Sequence, residues 1–365
     1  MHHYKFLSPL FLFVGLCAFA QSNVKTVVSI SGDDFYINGK PSYDGAVWNN
    51  NKIEGLLFNS RMVQGIFDDV NPTTRELFIY PDTKKWDPDR NTNEFVQAME
   101  EWYRYGLLAI TINLQGGSPT GYGNKDWVNS AFDKAGNLKK DYMLRLNKIL
   151  KRADDLGMVI ILGYFYQGQD QNLQDEKAVI NAVDNATDWI LGKGYRNVLI
   201  EINNECNVPY DHDILRPARV HELISRVKRI QKNGHRLLVS TSYSGGFIPL
   251  QNVVEVSDFL LLHGNGVTDP DRITKMVAET RNVRGYRVMP ILFNEDDHYD
   301  FEKPTNNLVN ATKQHVSWGF FDYRRKDEPF SEGYQSVPVD WGIHSTRKKD
   351  FFALVKQMTN GQQKN

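Results

Sequence analysis

Residues 142–165 read YMLRLNKILKRADDLGMVIILGYF. The first half puts Tyr142, Leu146, Ile149, Leu150 and Ala153 on one stripe at helical spacing. Gly157 then stands where a left-handed helix C-cap belongs, and Val159–Phe165 follows as a short unbroken apolar run. A strand that is apolar throughout is covered on both faces, as in a parallel sheet sheathed by helices.

The same alternation extends in both directions. Further strand-like runs are Met62–Phe67, Leu107–Leu114, Val198–Asn203, Leu237–Ser242, Phe259–His263, Val288–Phe293 and Gly319–Tyr323. Helical stripes lie between them, one with Val179, Ala182, Val183, Ala186 and Ile190, another with Val220, Leu223, Ile224, Val227 and Ile230. Asn91 with Glu94 reads as a capping pair, and Asp269-Pro270 puts Pro at a first helical position. Gly106 and Gly234 repeat the stop signal of Gly157, and a last helix is expected at about Lys348–Met358. Eight strand–helix units over roughly 300 residues predict an α/β fold of the (β/α)8 TIM-barrel type. A doubly wound open sheet would carry a Gly-rich phosphate loop after its first strand, and this chain has none. A short β segment, Phe35 to Tyr43, turning at Asn38-Gly39, precedes the barrel.

Of the 365 residues, 41% are hydrophobic and 24% charged, with a net charge of −1. That is globular composition, with no basic footprint for nucleic acid and no polybasic membrane patch. Two cysteines exclude a disulfide scaffold and a Cys-based zinc or iron–sulfur site. Residues 1–20, MHHYKFLSPLFLFVGLCAFA, place Lys5 before an apolar stretch from Phe6 that ends in Ala18-Phe19-Ala20. This predicts a secretory signal cut before Gln21 and a secreted or periplasmic protein. Leu16 before Cys17 argues against a lipid anchor, and no later run approaches a membrane span. The expected organisation is a signal at 1–20, a β lead-in at 21–60 and the barrel at 61–365. Asn185-Ala-Thr187 and Asn310-Ala-Thr312 match the glycosylation sequon.

Chemistry is expected on the loops after the strands. Three are long, Asp68 to Arg90, Gln115 to Lys140 and Arg324 to Thr346, and they carry Trp86, Trp127, Trp341, Tyr122 and Tyr334. Aromatics there are candidate sugar platforms or loop-packing residues. The fourth strand ends in Asn204-Glu205 and the seventh in Asn294-Glu295. Strand C-termini converge on one cleft, so these two carboxylates can face each other, which is what glycoside hydrolysis needs.

The barrel with Asn-Glu closing strand four and Glu closing strand seven resembles the clan A glycoside hydrolases, the cellulase-like family 5 and its relatives. The resemblance implies that Glu205 is the acid/base, Glu295 the nucleophile and Asn204 the partner of the sugar 2-hydroxyl. It implies retaining cleavage of a β-linked poly- or oligosaccharide with no cofactor and no metal. His263, closing strand six, matches the position of a residue that orients the nucleophile. Further candidate substrate contacts are Asn265, Tyr243, Tyr166, Trp127 and Trp341. The chain departs from the pattern at Cys206, where many members have Pro, and in having no Trp at the end of strand eight. Cys206 reads as a small packing residue. Two other readings stay open. Glu295, Asp296, Asp297 and His298, with Asp300 and His263, form a donor set for a metal-dependent barrel hydrolase. A barrel that binds glycans without turning them over is the other.

Overall fold

The computed structural model describes residue 1, residues 24–122 and residues 126–360. The signal expected at 1–20, Met1 apart, lies outside the described residues, as does Cys17. Among the described residues, eight parallel strands alternate with eight helices. The strands are β1 (Asn59–Arg61), β2 (Ala109–Asn113), β3 (Val159–Phe165), β4 (Val198–Asn203), β5 (Leu238–Ser240), β6 (Leu260–His263), β7 (Ile291–Glu295) and β8 (Gly319–Phe320). The helices that follow them are α1 (Pro88–Arg104), α2 (Lys140–Leu156), α3 (Glu176–Lys193), α4 (Val220–Arg229), α5 (Gln251–Val256), α6 (Pro270–Arg281), α7 (Asn307–Lys313) and α8 (Thr346–Thr359).

Strands β5-β4-β3-β2-β1-β8 form one continuous parallel ladder, and β6 pairs with β7. Bridges Leu292↔Ser317 and Asp296↔Phe320 join β7 to β8. The β5–β6 seam is held by Asp258 N–H donating to the Val239 carbonyl at 3.0 Å. The ring is therefore a (β/α)8 barrel. Its wall buries Ile110, Ile112, Ile160, Leu162, Leu199, Ile200 and Leu261. The stripes read from sequence on α2, α3 and α4 face this wall, with Leu146, Ile149, Val179, Ala186, Leu223 and Val227 buried.

The lead-in is an antiparallel hairpin, Val28–Ser31 with Asp34–Ile37, extended by Lys40–Pro41. Asn38 and Gly39 both have positive φ, the turn that two-residue loop needs. The hairpin caps the N-terminal mouth of the barrel. Val28 N–H donates to the Arg196 carbonyl just before β4, and the Phe35 ring meets Phe259 just before β6.

Two local expectations are corrected. The first barrel strand is Asn59–Arg61, not Met62–Phe67. Asn59 and Arg61 turn into a polar lumen, where Asn59 Nδ2 donates to the Phe293 carbonyl, and Ser60 between them donates from Oγ to the Phe320 carbonyl of the neighbouring strand. An apolar-run rule cannot find such a strand, and it selected the buried turn that follows. Helix α1 begins earlier than the Asn91–Glu94 pair suggests. Asp87 caps it by accepting from Arg90 N–H, and Pro88 supplies the preset first-turn φ.

The long loop after β8 folds back over α1. Trp341 is 2% exposed, stacked on Tyr334 and edge-on to Phe95 and Trp102, with its Nε1–H donating to Asn91 Oδ1. Trp341→Ala is expected to cost about 3–5 kcal/mol of stability, the usual range for emptying a buried Trp site. Urea unfolding checks it, and a loss under about 1 kcal/mol would mean the ring is not a packing element.

Candidate active site

The site lies at the C-terminal mouth of the barrel, around a cavity of about 200 Å³ lined by Ser118, Tyr122, Tyr166, Gln167, Gly168, Glu205, Pro209 and Glu295. A larger depression, about 510 Å³, sits at the opposite mouth between the lead-in and the end of α8, and it gathers no comparable cluster of charged groups.

Glu205 stands two residues past β4 with φ of 52°. Left-handed backbone is uncommon for a residue with a Cβ and costs on the order of 1–3 kcal/mol. Ser242 at the end of β5 fixes the turn, its Oγ accepting from Glu205 N–H and its carbonyl from Cys206 N–H, both at 2.9 Å. Glu295 is aimed by a bulge. Leu262 pairs with Phe293, but His263 pairs with Glu295, so β7 gains one residue opposite β6. One oxygen from each of Glu205 and Glu295, and one nitrogen of His263, lie within 4.8 Å of one another.

His263 Nδ1 is 3.0 Å from Glu205 Oε1 and 3.6 Å from Glu295 Oε2. Glu295 has a cation against one oxygen and a hydrogen-bond donor on the other. Arg61 Nε lies 2.7 Å from Oε2, and Asn265 Nδ2 donates to Oε1 at 2.6 Å. Arg61, at the end of β1, also places its guanidinium 3.5 Å from Glu201 Oε2 and donates to Asn204 Oδ1 at 2.7 Å. Glu201 is fully buried inside β4, and its other oxygen accepts a hydrogen bond from Asn294 Nδ2.

The charges are coupled. Burial opposes a charged His263, yet the Glu295 carboxylate and the hydrogen bond to Glu205 lift its pKa above the histidine norm. Burial pushes the Glu295 carboxyl up, against Arg61 and His263, and the nearby Glu205 charge adds to the push. Burial acts the same way on Glu205, but His263 and Arg61 bring its carboxyl below the usual range. The two carboxylates titrate as a pair.

Six of the expected residues meet here: Glu205, Glu295, Asn204, His263, Asn265 and Tyr166. The Asn204 amide is held at both ends, by Arg61 on its oxygen and by Gln167 Oε1 accepting from its nitrogen. Tyr166 leans on the loop after β2, its OH 2.9 Å from Ser118 Oγ, and its ring fills the space a Cβ on Gly117 would take. The other three are elsewhere. Trp341 packs over α1, as above. Trp127 is buried edge-on to Phe78, fastening its loop to the loop after β1, so the platform expected of it is covered. Tyr243 is buried beside Cys206, whose thiol burial pushes up to about 12. That thiol is inert, as a packing cysteine should be.

Two residues central to the site escaped sequence reasoning, Arg61 and Glu201. Each is a full charge in a strand that is otherwise buried, and such a charge needs a partner. The signal was present at Glu201, within an apolar run.

At this mouth two carboxylate–histidine groupings could offer metal ligands, Glu205–His263–Glu295 and Asp296–Asp297–His298, while a third among the described residues, Asp33–Asp34–His315, lies away from it at the lead-in. In the first, the Arg61 cation already occupies Glu295 Oε2 and would repel a metal. In the second, Asp296 is spent on structure, accepting from Trp318 Nε1, Asn307 Nδ2 and His298.

No protein-family model matches the chain, and no curated protein sequence does. Solved structures do. The fold is similar to that of an endo-1,4-beta-mannanase from Rhizomucor miehei, over 92% of this chain and 99% of that one, with a TM-score of 0.57 and 11% identity. A glycoside hydrolase family 5 mannosidase from the same organism gives 0.54 and 11%, over 92% of this chain and 98% of that one. The beta-mannanase of the blue mussel Mytilus edulis gives 0.51 and 11%, over 93% and 98%. At such identity the shared property is the barrel fold.

Glu205→Gln removes one of the two charges, with Glu295, that retain the His263 proton. The His263 titration midpoint, followed by NMR, is expected above about 6.5 in the parent chain and lower in the variant. An unmoved midpoint would assign that proton to another partner.

Proposed function

We propose that this chain is a secreted retaining glycoside hydrolase that cleaves a β-linked oligo- or polysaccharide by double displacement. The observation that carries the reading is the convergence of the two carboxylates on His263 Nδ1, Glu205 Oε1 at 3.0 Å and Glu295 Oε2 at 3.6 Å, with an oxygen of each no more than 4.8 Å from one of the other, which favours the shorter of the two separations glycosidases use. Retaining chemistry works at roughly 5–5.5 Å between carboxyl groups, whereas an inverting pair stands roughly 6.5–9.5 Å apart to admit water.

In this mechanism Glu295 attacks the anomeric carbon and forms a glycosyl ester. Arg61 and Asn265 stand at its two oxygens, which fixes the attack direction, and both work against the upward push of burial on its pKa. Glu205 gives a proton to the departing glycosidic oxygen. It then takes one from the water that cleaves the ester. In the open pocket Glu205 is too acidic for the first task. A sugar seated over it excludes water and sets an uncharged oxygen against it, and both raise its pKa. The neighbours named as mannanases make a β-mannoside the first substrate to try, in buffer with and without EDTA.

Glu295→Ala is expected to lower turnover by several orders of magnitude, with azide restoring activity and giving a product of inverted configuration. Parent-level turnover in the variant would end the assignment, and binding without hydrolysis by the parent chain would favour a binding barrel. The pH profile gives a second check. The rate falls as the acid deprotonates, so the basic limb of kcat, which reports the loaded enzyme, should lie at higher pH than that of kcat/KM. Coincident limbs would deny Glu205 the acid's role.

A further inference from the structure

We infer that the glycone side of this pocket is a dead end for one sugar residue, so the enzyme removes single residues from a non-reducing chain end. The inference rests on the glycosidase reading above and deepens it.

The acid protonates the leaving oxygen, so the aglycone extends past Glu205. The glycone ring must then run the other way, over Glu295. On the Glu205 side the wall is low, formed by Gln167, Gly168 and exposed Pro209. On the Glu295 side four loops are laced together. Tyr122, from the loop after β2, donates its OH to Asp297 just past β7. Asn265, after β6, donates to the same Tyr122 oxygen at 3.2 Å, and Gly266 N–H donates to Asp297 Oδ1 at 3.2 Å. The Tyr122 ring packs edge-on to Tyr323, past β8, at 4.9 Å. Behind it, Gln335 Nε2 donates to the Gly117 and Ser118 carbonyls, and Val337 N–H to the Pro119 carbonyl at 2.7 Å. A second sugar joined to the far end of the first would have to pass through Tyr122 and Asp297. The cavity that spans both sides is about 200 Å³.

The test uses the full mature chain on two probes. One is a panel of aryl β-monoglycosides. The other is a β-linked hexasaccharide of whichever sugar is cleaved, labelled at its reducing end. The expected first products are the free monosaccharide and the labelled pentasaccharide. Labelled di- or trisaccharide as a first product, which is mid-chain scission, would overturn the inference and leave the glycosidase reading intact. Hydrolysis of neither probe, matching the Glu295→Ala control, would sink both. Tyr122→Ala and Asp297→Ala each open the wall. Either is expected to raise the ratio of released disaccharide to monosaccharide by roughly tenfold or more, about what one removed steric block is worth. An unchanged ratio in both variants would overturn the wall assigned here.

Discussion

Arg61 keeps its positive charge with 1% of its surface exposed, at the C-terminal end of the barrel. Taking an ion out of water costs several kcal/mol, and attraction repays it only where partners are close and fixed. Here the repayment comes from Glu295 at 2.7 Å, Glu201 at 3.5 Å and the Asn204 oxygen at 2.7 Å. Three strands, β1, β4 and β7, are tied by that one guanidinium. Remove it and two buried carboxylates lose their cation, with a third close by. The geometry proposed for catalysis is thus the arrangement that satisfies a buried charge, and the same contacts would serve both ends.

Around that centre the backbone departs from regularity at two places where a side chain is aimed. The bulge between β6 and β7 turns Glu295 toward His263, and the positive φ at Glu205 swings its carboxyl back over the barrel. Both departures sit at strand C-termini. Left-handed residues also occur in the lead-in at the N-terminal mouth, Asn38 and Tyr43 among them, where they turn the chain rather than aim a charged group.

The loops divide the same work differently. Aromatic residues on the loops after β1 and β8 are absorbed into packing, Trp86 stacked on Tyr80 and Trp341 on Tyr334. The loop after β2 does both, burying Trp127 against Phe78 and exposing another aromatic. It runs to the rim and leaves Tyr122 52% exposed, held by Asp297 and Asn265. A long loop with a tryptophan therefore says little about where sugar sits. What matters is which faces the neighbouring loops leave open.

The amino-acid sequence alone determined the eightfold alternation. Apolar runs on β3 and β4 and the stripes on α2, α3 and α4 are local patterns, because burial on both faces of a strand or on one face of a helix is written in consecutive residues. It also placed Glu205, Asn204, His263 and Glu295 at strand ends, and ordinal position in a closed ring converts a strand end into a shared cleft. It could not show β1, whose Asn59 and Arg61 face a polar lumen and break the apolar rule, nor the partnership of Arg61 with Glu201, a contact 140 positions long. Nor could it say which aromatics are covered. Those outcomes belong to the tertiary structure, because electrostatic pairing and occlusion depend on distances between segments that no local pattern encodes.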